Sequence, residues 1–198
     1  SVDLVGLVWP IKNLTIAANA EVTFSNGTID LGGANLAQED GVTLALVGNC
    51  SLNAAYRPYQ TRDVTLVVRD GETVVTGLQS DASRNAGASV IIVSNAVLSL
   101  SGKYIGGTVE KSYTSAIFNR PLILQNGADR QARVVTTSEY PFHLGFSEYS
   151  FQVPERGFAA VPIEFKTLGS NYKNATVKVD VSKYRRGRPV ALIRCVSE

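Results

Sequence analysis

One histidine and two cysteines are the only imidazole and thiol groups in 198 residues. No CxxC pair and no Cys/His cluster is present, which argues against a structural zinc site. The lone His143 sits in Tyr140-Pro141-Phe142-His143-Leu144 and reads as a core or edge side chain, because a metal there would need carboxylates from elsewhere. Also missing are the GxSxG elbow, the phosphate-cradling GxxxxGK[ST], the dinucleotide-binding GxGxxG and HExxH. These absences predict a chain that is not an enzyme and takes no cofactor or metal. Long apolar runs are lacking too. The densest, Ser89–Ser94, is strand-sized against the ~18 residues of a membrane span, which predicts no membrane insertion. Charge is scarce: 19 Lys and Arg against 17 Asp and Glu leave +2, too little for nucleic-acid binding by bulk electrostatics. Ser1 to Val5 contain no positive segment leading into an apolar core, so the expectation is a chain that starts after processing or is a piece of something larger.

What the sequence has is alternation. Apolar and polar residues exchange with period two, the signature of side chains pointing to opposite faces of a strand. Clear cases are Leu14–Ile16, Glu21–Phe24, Val42–Val47, Val64–Val68, Thr73–Val75, Val90–Val93 and Val97–Leu100. Later come Leu122–Leu124, Ala132–Val135, Tyr149–Val153, Val161–Phe165, Ala175–Val181 and Val190–Val196. Short turn signals separate them: Ser25-Asn26-Gly27, Gly48-Asn49, Arg69-Asp70-Gly71-Glu72 and Asn126-Gly127, whose Asn, Asp and Gly residues supply the positive φ angles of tight turns. No stretch over ten residues keeps an apolar stripe at helical spacing, so the fold class is all-β, with at most one helical turn at Asn35–Asp40.

The strand openers Leu14, Val42, Val64 and Val90 recur at comparable intervals along the first half of the chain. Such intervals suit the coils of a β-solenoid and equally suit hairpins of a sandwich. The Asp70-Gly71 signal between two alternating runs reads as a hairpin, which places a β-sandwich first and a short β-solenoid as the alternative. Most aromatic residues follow Ser101, and bulky side chains define a differently packed core. A boundary at about 106–112 therefore divides the chain into an N-terminal β module, residues 1–108, and a C-terminal module, residues 112–198. In the second module Phe142, Tyr149–Pro154, Gly157, Ala160–Phe165 and Tyr172–Val179 follow one another as a strand ending in proline, a turn, an alternating strand and a Tyr-led strand. Over residues 115–198 this succession resembles immunoglobulin-like sandwiches of the major-sperm-protein and PapD-like type. The resemblance implies a sandwich fold for that half and no function.

Candidate binding residues are few. Lys183, Arg185, Arg186 and Arg188, in Lys183-Tyr184-Arg185-Arg186-Gly187-Arg188, form the densest charge. The segment suits forked guanidinium contacts to phosphorylated or sulfated groups, or it is a solvated hairpin tip that blunts a sheet edge. Trp9, Tyr56 and Tyr59 lie next to prolines and turn residues, where they form a candidate glycan-stacking platform or pack on the prolines. Cys50 and Cys195 are either buried thiols or a disulfide that would stabilise by roughly 4–5 kcal/mol in the chain-entropy account. Asn13, Asn26, Asn49 and Asn174 head Asn-x-Ser/Thr triplets, weak evidence for secretion. The carboxylates Asp30, Glu39, Asp40, Asp63, Asp70, Glu72 and Asp81 are the candidates if the chain cleaves glycans with paired acids. The leading expectation is a structural or adhesive subunit of a virion, fibre or cell surface, located outside the cytoplasm. It would act by homo-oligomerisation or assembly with other surface subunits, and by contact with a glycan or protein receptor. A polysaccharide-degrading tailspike-like solenoid and a carbohydrate- or anion-binding module are the alternatives.

Overall fold

A computed structural model describes residues 1–56, 63–78, 90–101, 121–136, 148–165 and 176–196. Every strand pairing among them is parallel. A hairpin pairs its strands antiparallel, so the described strands form a β-solenoid and not a sandwich. The first coil holds β1 (Val2–Asp3), β2 (Val8–Pro10) and β3 (Leu14–Ile16), all paired to β4 (Glu21–Gln38), the second coil. The third coil is β5 (Thr43–Tyr56). Each later coil contributes two strands: β6 (Thr65–Arg69) and β7 (Glu72–Leu78), β8 (Val90–Ser94) and β9 (Val97–Ser101), β10 (Pro121–Gln125) and β11 (Arg133–Thr136), β12 (Glu148–Gln152) and β13 (Ile163–Phe165), β14 (Thr176–Asp180) and β15 (Ile193–Cys195). From β5 onward, one row runs β6, β8, β10, β12, β14 and the other β7, β9, β11, β13, β15.

The alternation that marks the strands also builds the core, because in-register parallel pairing stacks equivalent positions. In the first row Phe24, Leu46, Val68, Val93, Leu124 and Phe151 follow one another in register, and all are buried. In the second row Ile29, Leu52, Val75 and Leu100 do the same. The aromatic residues that suggested a second core, Tyr149 and Phe151, continue the first-row stacks below Leu122 and Leu124. The expected boundary at 106–112 lies outside the described residues, but the pairings β8·β10 and β9·β11 carry both rows across that segment.

Three further expectations change. Asp70-Gly71 is a corner between β6 and β7 of one coil, where the chain bends without reversing. Asp70 takes φ 59°, and Gly71 is required by proximity, since an added Cβ would collide with the Gly48 backbone of the preceding coil. Asn35–Gln38 is extended within β4, pairing with β3 and β5, and makes no helical turn. Residues 183–188 belong to the connection between parallel strands β14 and β15, not to a hairpin tip.

Candidate binding surface: the basic corner and the open coils

The corner joining the two rows lengthens along the solenoid. In the upper coils it is very short, with Asn26, Gly48, Asp70 and Asn95 each at positive φ. Asx side chains bind these corners to one another: Asn26 donates to Asp3 at 3.3 Å and Asn95 to Asp70 at 2.9 Å. From β10 onward the corner lengthens to residues 126–132, 153–162 and 181–192. The loops are stacked by named bonds. Gln131 Oε1 accepts the Ala159 N–H at 2.9 Å while its Nε2 donates to the Ala160 carbonyl at 2.6 Å. The Arg185 N–H donates to the Glu155 carbonyl at 3.1 Å.

The last loop carries the four predicted cations and has its own fastening. The Tyr184 hydroxyl donates to the Arg188 carbonyl at 2.6 Å and accepts the Arg188 N–H at 3.0 Å. Asp180 Oδ1 accepts the Ser182 N–H at 2.9 Å. Bonds from Ser182 hold the Asp180 carboxyl below its ordinary value of 3.8, and Lys183 adds to the effect. Lys183, Arg185, Arg186 and Arg188 are all exposed, and no ion pair engages them among the described residues. The guanidinium groups are thus free to fork onto an oxyanion. Sequence reasoning missed Arg130 and Arg156, exposed on the two preceding loops of the same corner. Each falls between two alternating runs, as the basic segment does, and only the coil geometry relates them. Asp129 and Glu155 stand beside them, also exposed.

The aromatic candidates are not assembled. Trp9 packs its ring against Phe24, centroids 5.8 Å apart and tilted by 53°. Tyr56 ends β5 with its side chain outside the described residues, where Tyr59 and His143 also lie. The cysteines are not joined: Cys50 is buried in register between Gly27 and Thr73, whereas Cys195 is exposed on the last strand. Both thiols are unbridged in this structure, and the exposure of Cys195 corrects the expectation that both are buried.

Three of the candidate acids serve as local hydrogen-bond acceptors. Asp30 takes the Asn53 amide at 2.7 Å and the Gly32 N–H at 2.8 Å. Glu39 takes the Ala18 N–H at 2.9 Å, and Asp70 accepts from Asn95. Asp81 lies outside the described residues, as does Asn174. The triplet residues Asn13, Asn26 and Asn49 are exposed. Among the described residues no group of three His, Cys, Asp or Glu is placed to hold a metal ion.

The two terminal coils complete the surface. Among the described residues β14 and β15 are the last strands of their rows, while β1, β2 and β3 pair only with β4. Both ends expose large apolar side chains, Val2, Val8 and Trp9 at one and Val177 and Val179 at the other. No protein-family model, curated protein or solved structure matches this chain.

Proposed function

We propose that the chain is a non-enzymatic structural or adhesive subunit of a virion, fibre or cell surface, acting by self-association and by contact with a receptor or glycan. The observation that carries this reading is the pair of open terminal coils. Each has strand edges with no pairing among the described residues, together with exposed apolar side chains, the combination that recruits another chain by strand addition. Light scattering coupled to size exclusion tests it: the mass rises with concentration above the 21.2 kDa of one chain, and a strict monomer at high concentration would refute it.

The contact half of the reading draws support from the basic corner. Arg185, Arg186 and Arg188 are exposed and without an ion pair among the described residues, as a surface for sulfated or phosphorylated glycans requires. Replacing all three by Ala abolishes retention on a heparin column, and unchanged retention would remove that contact. A second reading, a polysaccharide-degrading tailspike-like solenoid, is favoured by the parallel coil stacking itself. New reducing ends from a panel of capsular and lipopolysaccharide glycans would support it, and no product from any of them would leave it without support.

A further inference from the structure

Within the solenoid, each coil covers the inward side chains of its neighbour. Tyr149 and Phe151 are buried, and their register partners on the last coil, Val177 and Val179, are 51% and 39% exposed. The first coil mirrors this. Phe24 and Ile29 are buried, while their partners Val2 and Trp9 are 42% and 39% exposed. These positions belong to common stacks. Val2 heads the first-row stack that Val179 ends, and Trp9 heads the second-row stack that runs through Ile29, Leu52 and Leu100 towards Phe165 and Cys195. One end therefore presents the upper half, and the other the lower half, of the contact that every interior coil makes.

We propose that copies of this chain stack head to tail, the coil of β14 and β15 in one copy receiving the coil of β1, β2 and β3 of the next. Two further observations select this occupant. Every strand pairing among the described residues is parallel, and only a head-to-tail contact continues that direction with the stacks in register. Charge selects it as well. Two β14–β15 ends face to face would set Lys183, Arg185, Arg186 and Arg188 against their own copies, whereas residues 1–16 carry a single basic side chain, Lys12, and the like-charge contact that the register makes head to tail is the one pair Asp180 and Asp3. A contact of this kind is heterologous, and unless its rotation closes a ring it propagates as a filament.

The proposal rests on the self-association reading above, and the experiment separates the two. Light scattering is run on the wild type, on a V177E/V179E variant and on a V2E/W9E variant, singly and mixed, with circular dichroism to check folding. The wild type grows with concentration beyond two chains, each variant alone stays at the mass of a single chain, and their equimolar mixture stops at two chains through the one intact pair of ends. Cys195, exposed in the single chain, supplies a readout that needs no variant: its reaction with a maleimide is lost as the wild type associates. Variants that associate as the wild type does would overturn stacking while leaving self-association standing. A V2E/W9E protein that pairs with itself would overturn the head-to-tail direction. A wild type that is monomeric at every concentration would overturn both readings. If Cys195 were nevertheless shielded in that monomer, the chain's own residues would be covering the end.

Discussion

Two buried threonines on one strand give opposite answers to the same substitution. Thr73 and Thr76 both lie on β7, 0% and 1% exposed. The Thr73 side chain sits in register between Cys50 and Leu98, and its hydroxyl has no hydrogen-bond partner. Burying a hydroxyl without a partner costs about 1–3 kcal/mol, while Val preserves the β-branched shape that suits a strand. Thr73→Val therefore stabilises the fold by about 1–2 kcal/mol. For a chain of this length that raises Tm by roughly 2–8 °C. The Thr76 hydroxyl instead lies 2.8 Å from Asn53 Oδ1 and 3.1 Å from the Leu52 carbonyl. Asn53 is itself buried and donates to Asp30 at 2.7 Å. Thr76→Val takes a donor from that network and destabilises by about 1–3 kcal/mol. Urea unfolding of the two variants beside the wild type measures both. A shift of the same sign in the two would refute the assignment of Thr73 to an apolar stack and Thr76 to a polar ladder.

Stack position and coil position also separate. Leu46→Ala, between Phe24 and Val68 in register, loses about 2–5 kcal/mol, while Val179→Ala at the exposed end of the same stack loses about 0.5 kcal/mol or less; equal losses in urea would contradict the stacking. Thiol titration of dilute native protein finds one fast group, Cys195, and a second only after unfolding, because Cys50 is buried; no titratable thiol would mean a disulfide. The Asp3 carboxyl is held below 3.8 chiefly by the Val5 N–H and by Asn26, and Asp180 chiefly by Ser182. Both groups thus favour the folded chain fully above that pH and lose the effect as pH falls through their lower midpoints. Carboxyl titration by NMR gives midpoints below 3.8 for both, and a midpoint at or above it would contradict the hydrogen bonds.

The strands were legible because alternation is a property of one strand and its two faces. Each alternating run singled out in the sequence overlaps an observed strand. Direction was not legible, because direction depends on the corners. A two-residue Asp-Gly unit suits both the reversal of a hairpin and the bend of a coil, and in both cases it keeps the apolar face inward. What separates them is a contact distant in sequence, the approach of Gly71 to Gly48 of the preceding coil. A second signal was available: Asn26, Gly48, Asp70 and Asn95, all at positive φ, recur at nearly equal spacing, one per coil. The place of the aromatic residues after Ser101 was not legible, because Phe151 takes the position of Leu124 in a continuing stack. The basic cluster was readable as charge, but its neighbours Arg130 and Arg156 come to the same corner only through coil stacking. Nothing in the composition of Val177 or Val179 distinguishes an end coil from an interior one, so the open ends emerge only from the register.

The parallel register itself has a direct test. Val67 pairs with Ile92 across β6 and β8, at a strand spacing of about 4.8 Å that a disulfide spans; a hairpin at Asp70-Gly71 would set Val67 opposite Val74 instead. Air oxidation of V67C/I92C and of V67C/V74C, each with Cys195→Ser, followed by peptide mapping decides between them. A bond in V67C/I92C with V67C/V74C remaining reduced is the predicted result, and the reverse would contradict the solenoid.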